Sequence, residues 1–164
     1  MKKCTECRGQ LEKTTVEAYH FTECGLSSVF LRDVTVYVCK ECNEEFVALQ
    51  SPGPLHDALA AAIAVKRAPL VAEEVCYLRS WLDCDNTEFA KLMGVRPEHA
   101  SRWASGARPM SSTAERLLRT LVGVKQPGVV SLEALATFDE DTTVPPYSLG
   151  RSAAGWESVE IAQA

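Results

Sequence analysis

Two short cysteine pairs, Cys4-Thr5-Glu6-Cys7 and Cys39-Lys40-Glu41-Cys42, stand 31 residues apart in the first third of a 164-residue chain. No other feature restricts the fold as strongly. A tetrahedral Zn²⁺ ion takes four thiolates at about 2.3 Å, so two turns distant in sequence must meet in space. Two intervening residues let one tight turn aim both sulfurs at the same ion. The chain between the pairs reads as strand: "TTVEAYHF" and "VFLRDVTVYV" are rich in β-branched and aromatic residues, and Val34, Val36 and Val38 alternate with Thr35 and Tyr37. We therefore expect a small zinc ribbon, a β-hairpin that carries the second knuckle to the first. Its ligands are Cys4, Cys7, Cys39 and Cys42. A closed four-thiolate site leaves no position open for substrate, so the Zn²⁺ is expected to be structural. A ribbon of about 50 residues has little core of its own and should lean on the metal for stability.

The competing reading of a CxxC pair is a redox couple, which needs a βαβ setting, and none surrounds Cys4 or Cys39. No apolar run approaches the roughly 20 residues that span a bilayer. The start "MKKCTECRGQLEK" lacks the apolar region of a signal peptide. A cytoplasmic protein with reduced thiols and no membrane contact is expected, which argues against a disulfide framework for the seven cysteines. Cys24 reads as a loop thiol at the surface, Cys76 and Cys84 as small core residues. With four thiolates in place, neither His20 nor His56 is needed as a ligand.

"LQSPGPLHD" marks a boundary through Pro52, Gly53 and Pro54. Beyond it the period changes to that of helices. Leu55, Leu59 and Ile63 predict a short helix, and Val71, Val75, Leu78 and Leu82 a second. Asp85 with Glu88 forms a capping box for a third helix, which buries Phe89, Leu92 and Met93 and ends at Gly94. Pro97 opens a fourth helix running to Ser105 and closed by Gly106. Its inward residues are Ala100, Trp103 and Ala104, while Arg96, Glu98, His99, Ser101 and Arg102 face outward. Ser112 with Glu115 reads as the capping box of a last helix that buries Leu117, Leu118, Leu121 and Val122.

Two helices with a tight turn between them suggest a helix-turn-helix, and charge bears on that reading. The formal net charge is -5, yet residues 85–125 carry +3 while 126–164 carry -5. Attraction to phosphates acts over roughly 8 Å at physiological salt, so the local excess outweighs the total. An α-helix fits the major groove of DNA, and arginine can pair with a guanine edge in bidentate fashion. Arg102 is the first candidate for a base contact, with Ser101, His99 and Glu98 beside it. Arg96, Asn86 and Arg108 are placed for phosphates, which set register rather than sequence.

The segment "EFAKLMGVRPEHASRWASGARP" resembles the Xre/Cro-type helix-turn-helix over about Val71 to Leu121. The order CxxC, hairpin, CxxC and then this segment resembles the YgiT/MqsA-type antitoxin-like regulators. That resemblance implies four zinc ligands at Cys4, Cys7, Cys39 and Cys42, a homodimer formed through the helical domain, and Arg102 entering the major groove. It also implies autorepression and, in some members, an N-terminal domain that binds and neutralises an mRNA-cleaving toxin. The chain departs from the pattern at Arg8 and Asn43, where glycine is common, and at Asn86, Glu98 and Ala104.

The expected architecture is α+β: a zinc-ribbon domain over residues 1–50, a linker with a short helix over 51–70, an all-α helix-turn-helix domain over 71–125, and an acidic, flexible tail over 126–164. The expected function is sequence-specific binding of double-stranded promoter DNA by a transcriptional regulator. The alternative is a zinc-containing protein-interaction module without sequence-specific DNA binding. The sequence offers no nucleophile–base pair, carboxylate dyad or phosphate loop, and no enzyme is expected.

Overall fold

The alternating valines ahead of Cys39 do form a strand, and it organises the sheet. In the computed structural model, which describes residues 3–49, 52–137 and 145–159, β1 (Leu11–His20) and β2 (Val29–Cys39) pair antiparallel from Leu11 opposite Cys39 to His20 opposite Phe30. Buried positions along β2 are Val29 and Leu31, then Val34 and Val36, with Cys39 buried at its end. The inward phase therefore shifts from odd to even numbers at Asp33, whose φ of 50° departs from the strand region. The segment after the second cysteine pair turns back as β3 (Glu45–Val47) along the upper half of β2.

Helices follow. They are α1 (Pro52–Val65), α2 (Ala72–Trp81), α3 (Asn86–Leu92), α4 (Pro97–Ala104), α5 (Ser112–Lys125) and α6 (Leu132–Ala136). The region expected to be a linker with a short helix instead supplies a 14-residue helix with Leu55, Leu59, Ala60 and Ile63 wholly inaccessible. Each of the leucine and isoleucine side chains contributes about 1.5–3 kcal/mol by leaving water, so α1 is a central packing element. Asp85 caps α3 as expected, accepting from the Thr87 and Glu88 N–H groups at 2.7 and 2.8 Å, while Glu88 reaches back to the Asp85 N–H. At α5 the expectation needs correction. Ser111, not Ser112, is the cap, accepting from Ala114, and Glu115 is buried with Arg119 instead of closing a box. Leu117, expected inside, is exposed, whereas Leu118 and Val122 are buried.

The flexible tail expected over 126–164 is also corrected. Within it lie α6, β4 (Tyr147–Ser152) and β5 (Gly155–Ser158), while residues 138–144 and 160–164 lie outside the described residues. β4 runs parallel to the lower half of β2, with Val29 opposite Tyr147 and Leu31 opposite Leu149, and β5 pairs antiparallel with β4. Parallel neighbours need a long crossover, and here all six helices make it. The molecule is thus α+β, with one five-stranded sheet and, among the described residues, six helices. A single hydrophobic cluster runs from Phe21, Leu26 and Val29 of the hairpin through α1 and α2 to Trp103, Leu118 and Val122. No described helix is long and apolar enough to cross a membrane.

Two buried polar centres tie the layers together. The Arg119 guanidinium bonds Glu115 at 2.6 Å and donates to the carbonyls of Ala64 and Ala68 at 2.9 Å, and Glu115 accepts from the Leu70 N–H. These contacts satisfy carbonyls at and beyond the C-terminus of α1, where a cation also meets the negative end of the helix dipole. Nearby, Glu74 accepts from Lys66, the Val71 N–H and the Tyr147 hydroxyl, so that β4 is fastened to α2.

Candidate functional site

Each cysteine pair sits on a turn of the same construction. The Cys4 N–H donates to Gly9 O and the Arg8 N–H to Cys4 O; in the second pair, Cys39 N–H donates to Glu44 O and Asn43 N–H to Cys39 O. The pairing of β1 with β2 brings the two turns together, and the Lys40 N–H bonds Gln10 O across the junction. All four sulfurs then lie within 4.8 Å of one another. Measured separations are 3.3 Å for Cys7–Cys39, 3.4 Å for Cys7–Cys42 and 3.7 Å for Cys4–Cys42. A disulfide needs about 2.05 Å, so none of these pairs is bonded. Four sulfurs around one ion at 2.3 Å would stand about 3.8 Å apart, close to what is observed. The cluster therefore suits a metal ion held by four thiolates. Cys4 and Cys39 are buried and Cys7 and Cys42 exposed.

The local electrostatics already favour thiolate at one member. The Cys42 backbone N–H, pointing at the Cys39 sulfur, pulls that thiol down to about 7. At Cys42 the Glu44 N–H acts in the same direction but is outweighed by the neighbouring Cys7, burial and the other thiols, which push it up to about 12. Opposed shifts in neighbouring thiols mean that the cluster titrates as a unit and not residue by residue. A divalent cation would replace the thiol protons.

Two residues of this centre carry no signal beyond their position. Arg8 and Asn43, each directly after a cysteine pair, adopt left-handed backbone at φ 64° and 57°. This is the physical reason that glycine suits those positions. Gly9 carries no signal in the sequence, yet a Cβ there would stand 2.5 Å from Glu41 Cγ and 3.0 Å from the Cys39 sulfur, and its N–H faces Cys7 Sγ at 3.4 Å. Close approach of the second knuckle, Glu41 first and then the sulfur, excludes a side chain. The two histidines set aside as ligands are engaged elsewhere, His20 with Ser27 O and His56 with the Tyr77 hydroxyl. Cys24 is half-buried rather than a surface thiol, and burial pushes it up.

The DNA-contact candidates cluster on α3, α4 and the loop after them. Gly94, at φ 68°, makes the turn between the two helices, and Pro97 starts α4. Ala100 and Trp103 are buried, Ala104 is half-buried, and Arg96, Glu98, Ser101, Arg102 and Arg108 are exposed. His99 is half-buried and lies flat against Trp103, with ring planes 5° apart, while its Nε2 meets the Arg108 guanidinium at 3.2 Å. Asn86 is half-buried at the start of α3, and its Nδ2 donates to Ser101 Oγ at 3.1 Å and Pro97 O at 3.2 Å. Asn86 thus braces α3 against α4. Part of the basic excess read from residues 85–125 is not free for a partner: Arg119 is buried on Glu115, and the exposed Lys125 pairs at the surface with Asp83.

Comparisons of the chain with protein-family models, curated proteins and solved structures find no match. The four-cysteine cluster and the polar face of α4 therefore stand on chemistry alone.

Proposed function

We propose that the chain is a sequence-specific DNA-binding transcriptional regulator that represses its own promoter as a homodimer and carries a structural Zn²⁺ on Cys4, Cys7, Cys39 and Cys42. The reading is of a helix-turn-helix, with α4 as the helix that enters the major groove and Arg102 as the base-reading residue. The observation that carries it is the division of α4: Ala100 and Trp103 are buried, while Glu98, Ser101 and Arg102 stand exposed, as does Arg96 at its N-cap. A helix so divided can be held rigidly by its apolar face while its polar face enters a groove about 12 Å wide. The order of ribbon and helical segment adds the more specific form of the proposal, an antitoxin whose N-terminal part binds a toxin protein.

Selection of bound fragments from random DNA tests the reading. A preferred site should emerge. Arg102→Ala should then erase about 1–3 kcal/mol of discrimination at one base pair, whereas Arg108→Ala should weaken all sequences alike and flatten the salt dependence. Equal binding of every sequence at low salt would overturn it.

A second reading is a zinc-bearing protein-interaction module without sequence-specific DNA binding. It is favoured by one observation: with Arg119 buried and Lys125 paired at the surface with Asp83, fewer cations are free to meet phosphates than the sequence total suggests.

A further inference from the structure

A cleft of about 430 Å³ opens where the β1–β2 loop meets α1 and α2, on the far side of the hairpin from the cysteine knuckles. Its volume falls in the range of small-molecule sites. His56, Tyr77 and Trp81 line it with ring surface, and Glu23 and Glu73 add two carboxylates. Among the described residues, no lysine or arginine lines it. Both carboxylates are held by neutral donors: Tyr19 hydroxyl bonds Glu23 at 3.1 Å, and the Ser27 hydroxyl bonds Glu73 at 2.8 Å. Among the described residues neither forms an ion pair. Lys125 stands over the Trp81 ring at 4.6 Å but outside the cleft, and Asp83 meets its charge.

We infer that this cleft binds a small organic cation, an amine or quaternary ammonium on an apolar body. Two carboxylates without a cationic partner, set beside aromatic side chains, attract such a charge as counter-ions and offer its apolar body a surface to rest on. A metal ion is a poorer occupant. Cys24 and Cys76 also line the cleft, yet among the described residues the thiols, imidazole and carboxylates there do not converge as the four ribbon sulfurs do. The same cleft is joined to α4. Cys76 donates from its sulfur to Ala104 O, the last residue of that helix, at 3.3 Å. Occupancy therefore reaches α4 through Cys76. Any role of this relay in gene control rests on the DNA-binding reading above.

Titration of the full-length, metal-loaded protein by two-dimensional NMR, without DNA, tests the inference. The probes are benzyltrimethylammonium and, as an anion of similar bulk, phenylacetate. The cation should shift the Trp81 indole N–H saturably and bind about tenfold or more tightly than the anion. Glu23→Gln with Glu73→Gln keeps the shape, with the Ser27 hydroxyl turning to accept from the new amide, and should remove that preference. The Ser105 amide, which bonds Ser101 O at the end of α4, should move with the Trp81 signal in the parent and stay still in Cys76→Ala. Equal affinity for cation and anion in the parent protein overturns the site, and a Ser105 response unaltered by Cys76→Ala overturns the relay. Because no DNA is present, failure here is read separately from failure of sequence-specific binding.

Discussion

Arg8 and Asn43 hold the same left-handed conformation at equivalent points of the two knuckles, but they should respond differently to replacement by glycine. A non-glycine residue in that region costs about 1–2 kcal/mol, and asparagine costs less because its short polar side chain tolerates it. Glycine also loosens the unfolded chain, which offsets about 0.4–1 kcal/mol of any gain. For Arg8→Gly the relief of strain wins, and the metal-loaded protein should gain about 0.5–1 kcal/mol in denaturant unfolding. For Asn43→Gly the two effects nearly cancel. Equal gains at both sites would show that the backbone angle is not what limits these turns. Tyrosine titration supplies a second test at this scale. Burial, and for Tyr147 also Glu74, holds the Tyr77 and Tyr147 hydroxyls above their ordinary value of 10.0. Folded and unfolded chains both keep these protons below pH 10, so the contribution is fully present there. Above it the unfolded chain releases them first, and stability falls by at most about 1.4 kcal/mol per pH unit per tyrosine. Tyr147→Phe should flatten that alkaline slope in unfolding measured from pH 9 to 11.

Among the elements, α1 depends on a residue from α5. Arg119→Ala leaves Glu115 as a buried charge without its partner and frees the carbonyls of Ala64 and Ala68, a loss of about 3–5 kcal/mol in equilibrium unfolding. A loss under about 1 kcal/mol would mean that water replaces the guanidinium there. The sequence hid this arrangement because an Arg four residues after a Glu ordinarily reads as an exposed helix pair. It showed the hairpin, α2, the Asp85 cap, and the inward Ala100 and Trp103 clearly, since each has a period or a capping residue that acts locally. The tail strands were illegible for a physical reason. β4 is covered on both sides, with Ser148, Leu149 and Gly150 all buried, so it lacks the alternation that marks a half-exposed strand. The cysteine cluster was legible in full because ligand spacing is itself geometry. The brace between Asn86 and Ser101 was not, since their contact depends on how α3 crosses α4.

At the scale of the whole molecule, one apolar cluster joins hairpin and helices, and this sets what metal removal does. Chelation should speed amide exchange at Cys4, Arg8, Cys39 and Asn43, where the knuckle turns close, and leave the α1 amides slow. The remaining structure should still melt in one transition, because among the described residues the buried apolar side chains of the hairpin belong to the core shared with the helices. Two well-separated melting steps in the metal-loaded protein would contradict a shared core. Net charge acts at this scale as well. With -5 overall, any attraction to DNA is confined to one face and should weaken steeply as salt rises.

The lower edge of β2 is completed by a strand that a ribosome synthesises more than a hundred residues later. During translation the hairpin must wait with half its edge bare, a template for any passing strand. A message cut short before Tyr147 would encode a polypeptide that keeps its thiol cluster and its helices, yet offers that bare edge permanently. Such a product should clump, so that uninterrupted reading through β4 is what shields the nascent hairpin.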